Sequence, residues 1–460
     1  MDRARPSGRL QAGAALLAWL ATLAVFWPGI ALYDSVDQYG QLLSGDYADW
    51  HPPIMARFWS LFASWWPGAA PMLLVQTAFY WLGIGLLAAA CARRGKGKAG
   101  WALLAIGAFF LSSCWLGAIL KDGQMVGATL ATTGMVGWYR LEEKRLPWWA
   151  AAPALSLLAY ALLVRANAMF AVVPLAMILF GWGPARRPIA RICLGTAAIV
   201  GAMLLAPPIN HYLLGAEASG VERSQLIYDL TGIGARTVDP VAGYKPEAWQ
   251  PRKCYSLLEW DRAGEGDCPG AEMLYQPSSR LARLWIGAIL SHPLAYAAHR
   301  IAHFNFTMRL FVPANLPHSV SPVAGEPNRL GLATAASRAE IALHRAGLWL
   351  SALPIAWPCL WLALDLVAFW SAVTAPPGAF RDLAFALSLS ALALGASFLA
   401  ISVASDLRYH LWTMIAAAMA FPMLWAAGAL NRRHLIVAAG LAAAIAIVGT
   451  GGRMLLPAFA

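Results

Sequence analysis

Long apolar runs separated by short polar segments dominate the chain from residue 11 onwards. A helix needs about 20 mostly apolar residues to cross a bilayer, because lipid offers no hydrogen-bond partner to its backbone. The pattern predicts about eleven such helices, at residues 11–32, 70–91, 101–119, 123–139, 148–164, 167–184, 192–214, 346–372, 383–404, 411–430 and 435–451. We therefore expect an all-α, polytopic membrane protein.

The loop at residues 33–66 follows the first predicted span and is acidic. From Asp34 to Gln41 its polar residues recur at spacings of three and four, with apolar residues between them. This spacing predicts a short interfacial helix, which Gly45 is placed to end.

A second polar stretch, residues 215–345, is called the middle segment below. It divides the chain into an N-terminal transmembrane module (1–214), the middle segment itself and a group of C-terminal transmembrane helices (346–460). Within it, residues 279–304 have the amphipathic pattern of a helix that lies at a membrane interface. We expect the middle segment to be structured, since it contains aliphatic and aromatic residues throughout.

The composition supports a membrane protein and argues against a nucleic-acid-binding protein. Of the 460 residues, 60% are hydrophobic and only 12% are charged, and the net charge is +11. No basic stripe runs through polar sequence, so nucleic acid is not an expected partner. Lys and Arg instead cluster in alternate loops, which predicts a cytoplasmic N-terminus and places the first loop and the middle segment outside. The arginines before the first apolar run resemble a signal peptide, but no small-residue cleavage site follows, and we expect the run to be retained.

Polar residues capable of chemistry gather on the predicted outer face. They are Asp34, Asp37, Asp49 and His51 in the first loop, Lys121, Asp122, Arg165 and Asn167 in short turns, and Arg408, Tyr409 and His410 in the turn SDLRYH. A carboxylate at the end of a span is costly unless it faces a cavity or a partner, so Asp34 is a functional candidate. The alternative for Asp34 is a helix cap. The alternative for each cation is a side chain that reaches the lipid headgroups.

Five short motifs carry a resemblance to a known family: YDSVDQYGQ, DWHPP, LKDG, LVRANA and SDLRYHLW. With the topology they resemble the GT-C superfamily of membrane glycosyltransferases, most closely glycosyltransferase family 39 and its relatives, the protein O-mannosyltransferases and the lipid A aminoarabinose transferases. The resemblance implies a GT-C fold and transfer of a sugar from a polyprenyl phosphate carrier. It gives Asp34 the role of catalytic base, with Asp37 and Asp49 as substitutes. The chain lacks the acidic pair and the added soluble domain of the mannosyltransferases, so protein is not the expected acceptor.

Such a transfer needs a base for the acceptor's proton and cations for the departing phosphate. Lys121, Arg165 and Arg408 are the expected phosphate ligands, since arginine offers a planar fork to phosphate oxygens. The other expected substrate contacts are His51, Asp122, Asn167, Tyr409 and His410. We expect an inverting, metal-independent enzyme without a cofactor, in the bacterial inner membrane with its site on the periplasmic side. Its expected partners are a polyprenyl-phosphate-linked sugar donor, a glycan or lipid acceptor, and membrane lipids.

Two cysteines and two histidines of the middle segment are interpreted as residues that stabilise the fold. Cys254 and Cys268 are spaced for a disulfide if this segment lies in an oxidising compartment, with two unpaired thiols as the alternative. His299 and His303 lie four residues apart, but the sequence HRIAH lacks the Glu of a zinc-protease helix. We therefore expect both histidines to be structural.

Two other functions remain open at this point. An O-antigen polymerase or ligase also has many spans and a large outer loop with arginines. A lipid or polysaccharide transporter is less favoured, because the predicted spans are nearly free of charge and no internal repeat is visible.

Overall fold

The computed structural model of the protein describes residues 7–111, 115–182, 188–237, 251–266, 268 and 270–458. Regular structure in these ranges is helical, and no β-strand forms there. The N-terminal helices are α1 (Arg9–Phe26), α2 (Tyr33–Ser44), α3 (Ile54–Ala63), α4 (Ala70–Arg93), α5 (Gly97–Leu111), α6 (Lys121–Leu141), α7 (Trp148–Val164), α8 (Met169–Leu179) and α9 (Pro188–Pro208). A π-helical turn, Ile209–Leu213, continues α9.

The rest of the chain holds ten further helices in the described ranges. Those that begin in the middle segment are α10 (Arg223–Gly234), α11 (Pro251–Cys254), α12 (Gly270–Leu274), α13 (Ser278–Ser291), α14 (Pro293–Met308) and α15 (Arg338–Ser351). Those of the C-terminal part are α16 (Pro358–Thr374), α17 (Ala379–Ser397), α18 (Leu411–Ala426) and α19 (Arg432–Leu455). A short 3-10 turn, Leu407–His410, leads into α18.

Five described helical segments are long and apolar enough to cross a membrane: α1, α4, Ile189–Leu213, α17 and α19. Several of them leave large apolar side chains uncovered, such as Leu17, which is 68% exposed, Leu205, which is 60% exposed, and Ile447, which is 73% exposed. A helix of a water-soluble protein turns such residues towards the core. The length, composition and exposure of these helices are therefore those of membrane-spanning segments.

Each of the eleven apolar runs contains a helix, although several of these helices are too short to count as spans by length. Residues 112–114, within the predicted span 101–119, lie outside the described residues. The first loop behaves as its pattern predicts: α2 covers the polar stretch and ends at Gly45, whose φ of 83° is in the left-handed region that favours glycine.

Two predicted helices are divided at prolines. Residues 346–372 form the end of α15 and then α16, which begins at Pro358. Residues 279–304 form α13 and α14, and the second of these begins at Pro293. Proline has no backbone N–H to continue a helix and is well suited to the first turn of a new one, so each proline restarts the chain.

Helices α4 and α6 pack closely through glycines. A Cβ atom added to Gly83 would overlap the carbonyl oxygen of Leu130, and one added to Gly134 would lie 2.5 Å from the carbonyl oxygen of Gly83. Small residues let apolar helices approach in this way, so that dispersion contacts hold them together. The close packing fixes the start of α6, which carries part of the polar site described below.

Replacing Gly83 by Ala should therefore destabilise the protein by about 2 kcal/mol, the usual cost of forcing an extra carbon into a packed core. The matched control is Gly13→Ala in α1, where nothing lies within 4 Å of the added Cβ atom. This control should be neutral or slightly stabilising, because Ala favours helix more than Gly. Thermal unfolding in detergent measures both, and equal midpoints for the two variants would contradict the packing described.

Candidate functional site

Two extended segments bring the starts of α2 and α6 together. The N–H of Ile30 donates to the carbonyl of Gly117 (3.0 Å), and the N–H of Ile119 donates back to the carbonyl of Ile30 (2.9 Å). Each segment then enters its helix, so Asp34 in the first turn of α2 faces Lys121, the first residue of α6. Residues 87 positions apart thus become neighbours through two backbone hydrogen bonds.

The carboxylate of Asp34 lies among three nitrogen-bearing side chains. Its oxygens are 3.3 Å from Nζ of Lys121, 3.4 Å from Nη1 of Arg408 and 3.9 Å from Nε2 of His51. Arg408 is 374 positions away in the sequence and comes from the turn before α18. Asp34 makes no side-chain cap to its own helix; instead the hydroxyl of Ser35 accepts a hydrogen bond from the N–H of Leu32. The capping alternative for Asp34 is therefore wrong.

Further charged groups extend this cluster. Arg165 pairs with Asp122 and donates from Nε to Oδ1 of Asn167 (2.6 Å). Arg408 donates from Nε to Asp406 (2.8 Å), and the same atom lies 3.9 Å from Asp122. The Asp34 pocket, the name used below for this cluster of side chains, consists of Asp34, His51, Lys121, Asp122, Arg165, Asn167, Asp406 and Arg408. Its three carboxylates match its three permanent cations, which is how buried charges are tolerated.

Aromatic side chains form one wall of the pocket. The guanidinium of Arg165 lies 4.3 Å from the ring centre of Tyr409, and that of Arg408 lies 5.4 Å from it. Cations over an aromatic face are stabilised by its negative charge density. His410 is fully buried and lies against Phe398, at 4.4 Å between ring centres. Its ring nitrogens have no hydrogen-bond partner among the described residues.

The charges of the pocket set the protonation of its groups. Burial would raise the pKa of Asp34, but the positive charges of Lys121 and Arg408 outweigh burial and hold it well below its ordinary value of 3.8. Burial and the neighbouring Lys121 lower the pKa of His51 to about 4. His51 is therefore neutral at pH 7. Since Nζ of Lys121 donates to its Nδ1 (2.8 Å), its Nε2 carries the proton and faces Asp34.

The other two candidate carboxylates of the first loop, Asp37 and Asp49, are held by different partners. Asp37 accepts a hydrogen bond from Nε2 of Gln41 (2.7 Å). Asp49 accepts from the N–H and the hydroxyl of Ser219 (2.6 Å each) and lies 2.8 Å from Nε2 of His211. Although burial opposes it, these hydrogen bonds lower the pKa of Asp49. The structure therefore uses Asp49 to tie the first loop to residues 209–219, and a catalytic role for Asp37 or Asp49 stays a prediction.

The middle segment covers the pocket with residues that the sequence did not single out. Nδ1 of His318 lies 3.5 Å from Asp406, and the N–H of Trp260 donates to the carbonyl of Val403 (2.9 Å). The ring of Trp260 lies 5.8 Å from that of Trp50 in the first loop. His318 and Trp260 stand in stretches without a recognisable motif, so only the fold reveals their position.

Two further features concern cross-links and metals. Cys254 and Cys268 form a disulfide, which closes the loop beside Trp260. Within the described residues, no group of three or more His, Cys, Asp or Glu side chains is arranged to hold a metal ion.

Replacing Asp34 by Asn should lower the free energy of unfolding by about 2 kcal/mol at pH 7, the scale of hydrogen bonds to a charged group. Because the pKa of Asp34 is lower in the folded protein than in the unfolded chain, its stabilising effect is complete above about pH 5 and is lost as the pH falls from 3.8 towards the folded pKa. The gap in unfolding temperature between wild type and variant should therefore stay constant from pH 8 to pH 5 and narrow progressively as the pH falls below 4. Asp46→Asn, at an exposed position in the same loop, is the control and should show no gap. A gap for Asp34→Asn that is as wide at pH 3 as at pH 7 would contradict the assignment.

No protein-family model matches the chain, and no curated protein is significantly similar to it.

Proposed function

We propose that the protein is a polytopic glycosyltransferase of the GT-C type, with about eleven spans and a cytoplasmic N-terminus. It moves a sugar from a polyprenyl phosphate carrier to a cell-envelope glycan, lipid or polymer at the outer face of the bacterial inner membrane. The observation that carries the proposal is the buried Asp34 carboxylate, held between Lys121 and Arg408 where the apolar helices begin. Four of the five motifs behind the family resemblance contribute side chains to the pocket: Asp34, Lys121 with Asp122, Arg165 with Asn167, and Asp406 with Arg408. The fifth contributes His51.

The reaction is a single displacement at the anomeric carbon. The acceptor hydroxyl oxygen attacks this carbon, the bond from the carbon to the phosphate oxygen breaks, and the phosphate leaves with the electron pair. Asp34 takes the hydroxyl proton, while Lys121, Arg165 and Arg408 stabilise the negative charge that grows on the phosphate. One displacement inverts the anomeric configuration. No step requires a metal ion or cofactor.

In the proposed reaction, the low pKa of Asp34 requires the donor to bind before the acceptor hydroxyl gives up its proton. A carboxylate whose pKa is far below neutral is a poor base, and Lys121 and Arg408 are what keep it low. These two cations are also the proposed phosphate ligands. When the donor's phosphate binds them, it shares their positive charge and the pKa of Asp34 rises towards the range in which it can accept a proton. Donor binding therefore prepares the base for the acceptor.

An apolar groove supports a lipid-linked donor. It has a volume of about 720 Å³ and lies between α7, α8 and α9. Two of its lining residues, Leu163 and Met169, flank the turn that carries Arg165 and Asn167. An isoprenoid chain in this groove has its phosphate end at the turn that carries Arg165 and Asn167, and it is held by packing against the groove, because its carbons come from lipid and not from water.

Replacing Asp34 by Asn should reduce glycosyl transfer by about 10²- to 10⁴-fold, the usual contribution of a positioned base. The measurement is transfer of a radiolabelled sugar from polyprenyl phosphate in vesicles that hold the purified protein. Its donor and acceptor are chosen by mass spectrometry of envelope glycans from cells with and without the gene. Asp46→Asn should retain full activity.

Three outcomes would contradict the proposal. The first is full transfer by Asp34→Asn, which removes the base assignment. The second is an unchanged set of envelope glycans in cells that lack the gene. The third is movement of lipid or glycan across the vesicle membrane without a covalent product, which indicates a transporter.

A further inference from the structure

The turn that carries Asp406 and Arg408 is held almost entirely by the middle segment. Four consecutive carbonyl groups, those of residues 402–405, each accept a hydrogen bond from it. The donors are Nη1 of Arg300 to Ser402 (2.7 Å), the N–H of Trp260 to Val403 (2.9 Å), the hydroxyl of Thr307 to Ala404 (3.3 Å) and Nη2 of Arg309 to Ser405 (3.2 Å). Buried carbonyls need such partners, so the path of this turn is set by the three side chains and the one backbone N–H that face it.

The side chain of Arg300 is itself held in place by a buried carboxylate. It pairs with Asp229, which is fully buried and also lies 3.1 Å from Nε2 of His299 and accepts from Nε1 of Trp285 (2.8 Å). A second buried connection runs through His303, whose Nε2 lies 2.9 Å from the hydroxyl of Ser402. His299 and His303 thus have the structural surroundings expected of them, at the base of the turn that leads to Arg408.

Arg309 connects the turn to residues 317 and 318 of the middle segment. Besides Ser405, its Nη2 donates to the carbonyls of Pro317 and His318 (3.0 Å each). The carbonyl of His318 also accepts from the N–H of Leu407 (3.1 Å), and the ring of His318 lies beside Asp406. Arg309 therefore holds Ser405 directly and Leu407 through the carbonyl of His318, which fixes the backbone on both sides of Asp406.

We propose that Arg300 and Arg309 are positioning residues, which act through the backbone of residues 402–405 to hold the guanidinium of Arg408 against Asp34. Neither residue touches the carboxylate of Asp34 or the phosphate ligands. Their effect is geometric, because a displacement of about 1 Å in a binding group is enough to cost a large part of its contribution. The middle segment is thereby part of the catalytic framework and not only a cover. The inference about geometry is independent of the proposed reaction, while its consequence for phosphate binding rests on it.

Hydrogen exchange tests the geometry without any substrate. Arg309→Lys keeps the charge, but its single nitrogen cannot bond both Ser319 and the three carbonyls that the guanidinium holds through Nη1 and Nη2, so amide exchange in residues 403–410 should quicken at least tenfold. Thr307→Val removes a single bond to this turn and should give a smaller increase in the same peptide. Arg283→Gln, at an exposed arginine of α13, is the matched control and should leave the exchange unchanged. Unchanged exchange of residues 403–410 in both Arg309→Lys and Thr307→Val would overturn the inference.

Binding of undecaprenyl phosphate to the purified protein tests the consequence for phosphate binding. Arg309→Lys should weaken the affinity about tenfold, and in an Arg408→Gln background it should cause no further loss, because it acts through Arg408. A merely structural role predicts instead equal losses in both backgrounds, and that result would overturn the positioning role. If the wild-type protein binds no undecaprenyl phosphate, the proposed function is contradicted, and hydrogen exchange alone still decides the inference.

Discussion

A buried carboxylate that lies between two cations from distant parts of the chain is the interaction on which the rest of this structure depends. Asp34, Lys121 and Arg408 are each placed at the start of a helix or in the turn before one, and each is mostly covered. An unpaired charge in such a place costs several kcal/mol, whereas a compensated cluster is tolerated. The fold must therefore deliver all members of the Asp34 pocket together, and the loss of one member leaves another without its partner.

Three sets of contacts bring the members of the Asp34 pocket together. The glycine contacts between α4 and α6, with the paired segments at Ile30 and Ile119, place the first loop beside α6. The hydrogen bonds that Asp49 accepts from Ser219 anchor the middle of that loop to the start of the middle segment. The middle segment in turn fixes the backbone before Arg408. The geometry of the pocket thus depends on apolar packing, a loop anchor and a polar scaffold at once.

The sequence predicted the helices and the members of the pocket better than their surroundings. Apolar runs of membrane length have few alternatives to helix, and polar residues that interrupt such runs are costly unless they meet partners. For this reason Asp34 and Arg408 could be assigned to one site although they are far apart in the chain. The breaks before Pro293 and Pro358 were missed, because the apolar pattern continues across both prolines.

Contacts that depend on the tertiary path could not be predicted. Asp49 and His211 are separated by 162 positions, and nothing in the sequence near either residue indicates the other. The same holds for His318 and Asp406, and for the four carbonyls of residues 402–405, since backbone acceptors carry no sequence signal. A residue type indicates which chemistry is available, but only the fold decides which groups share a pocket.

The central claim is that Asp34 and Arg408 stabilise each other within one pocket. The most direct measurement is a double-mutant cycle with Asp34→Asn, Arg408→Gln and the combined variant, followed by thermal and chemical unfolding at pH 7. We expect the combined variant to lose less stability than the sum of the single losses, with a coupling energy of at least about 1 kcal/mol. Losses that simply add would contradict the account, because they would mean that the two side chains do not interact.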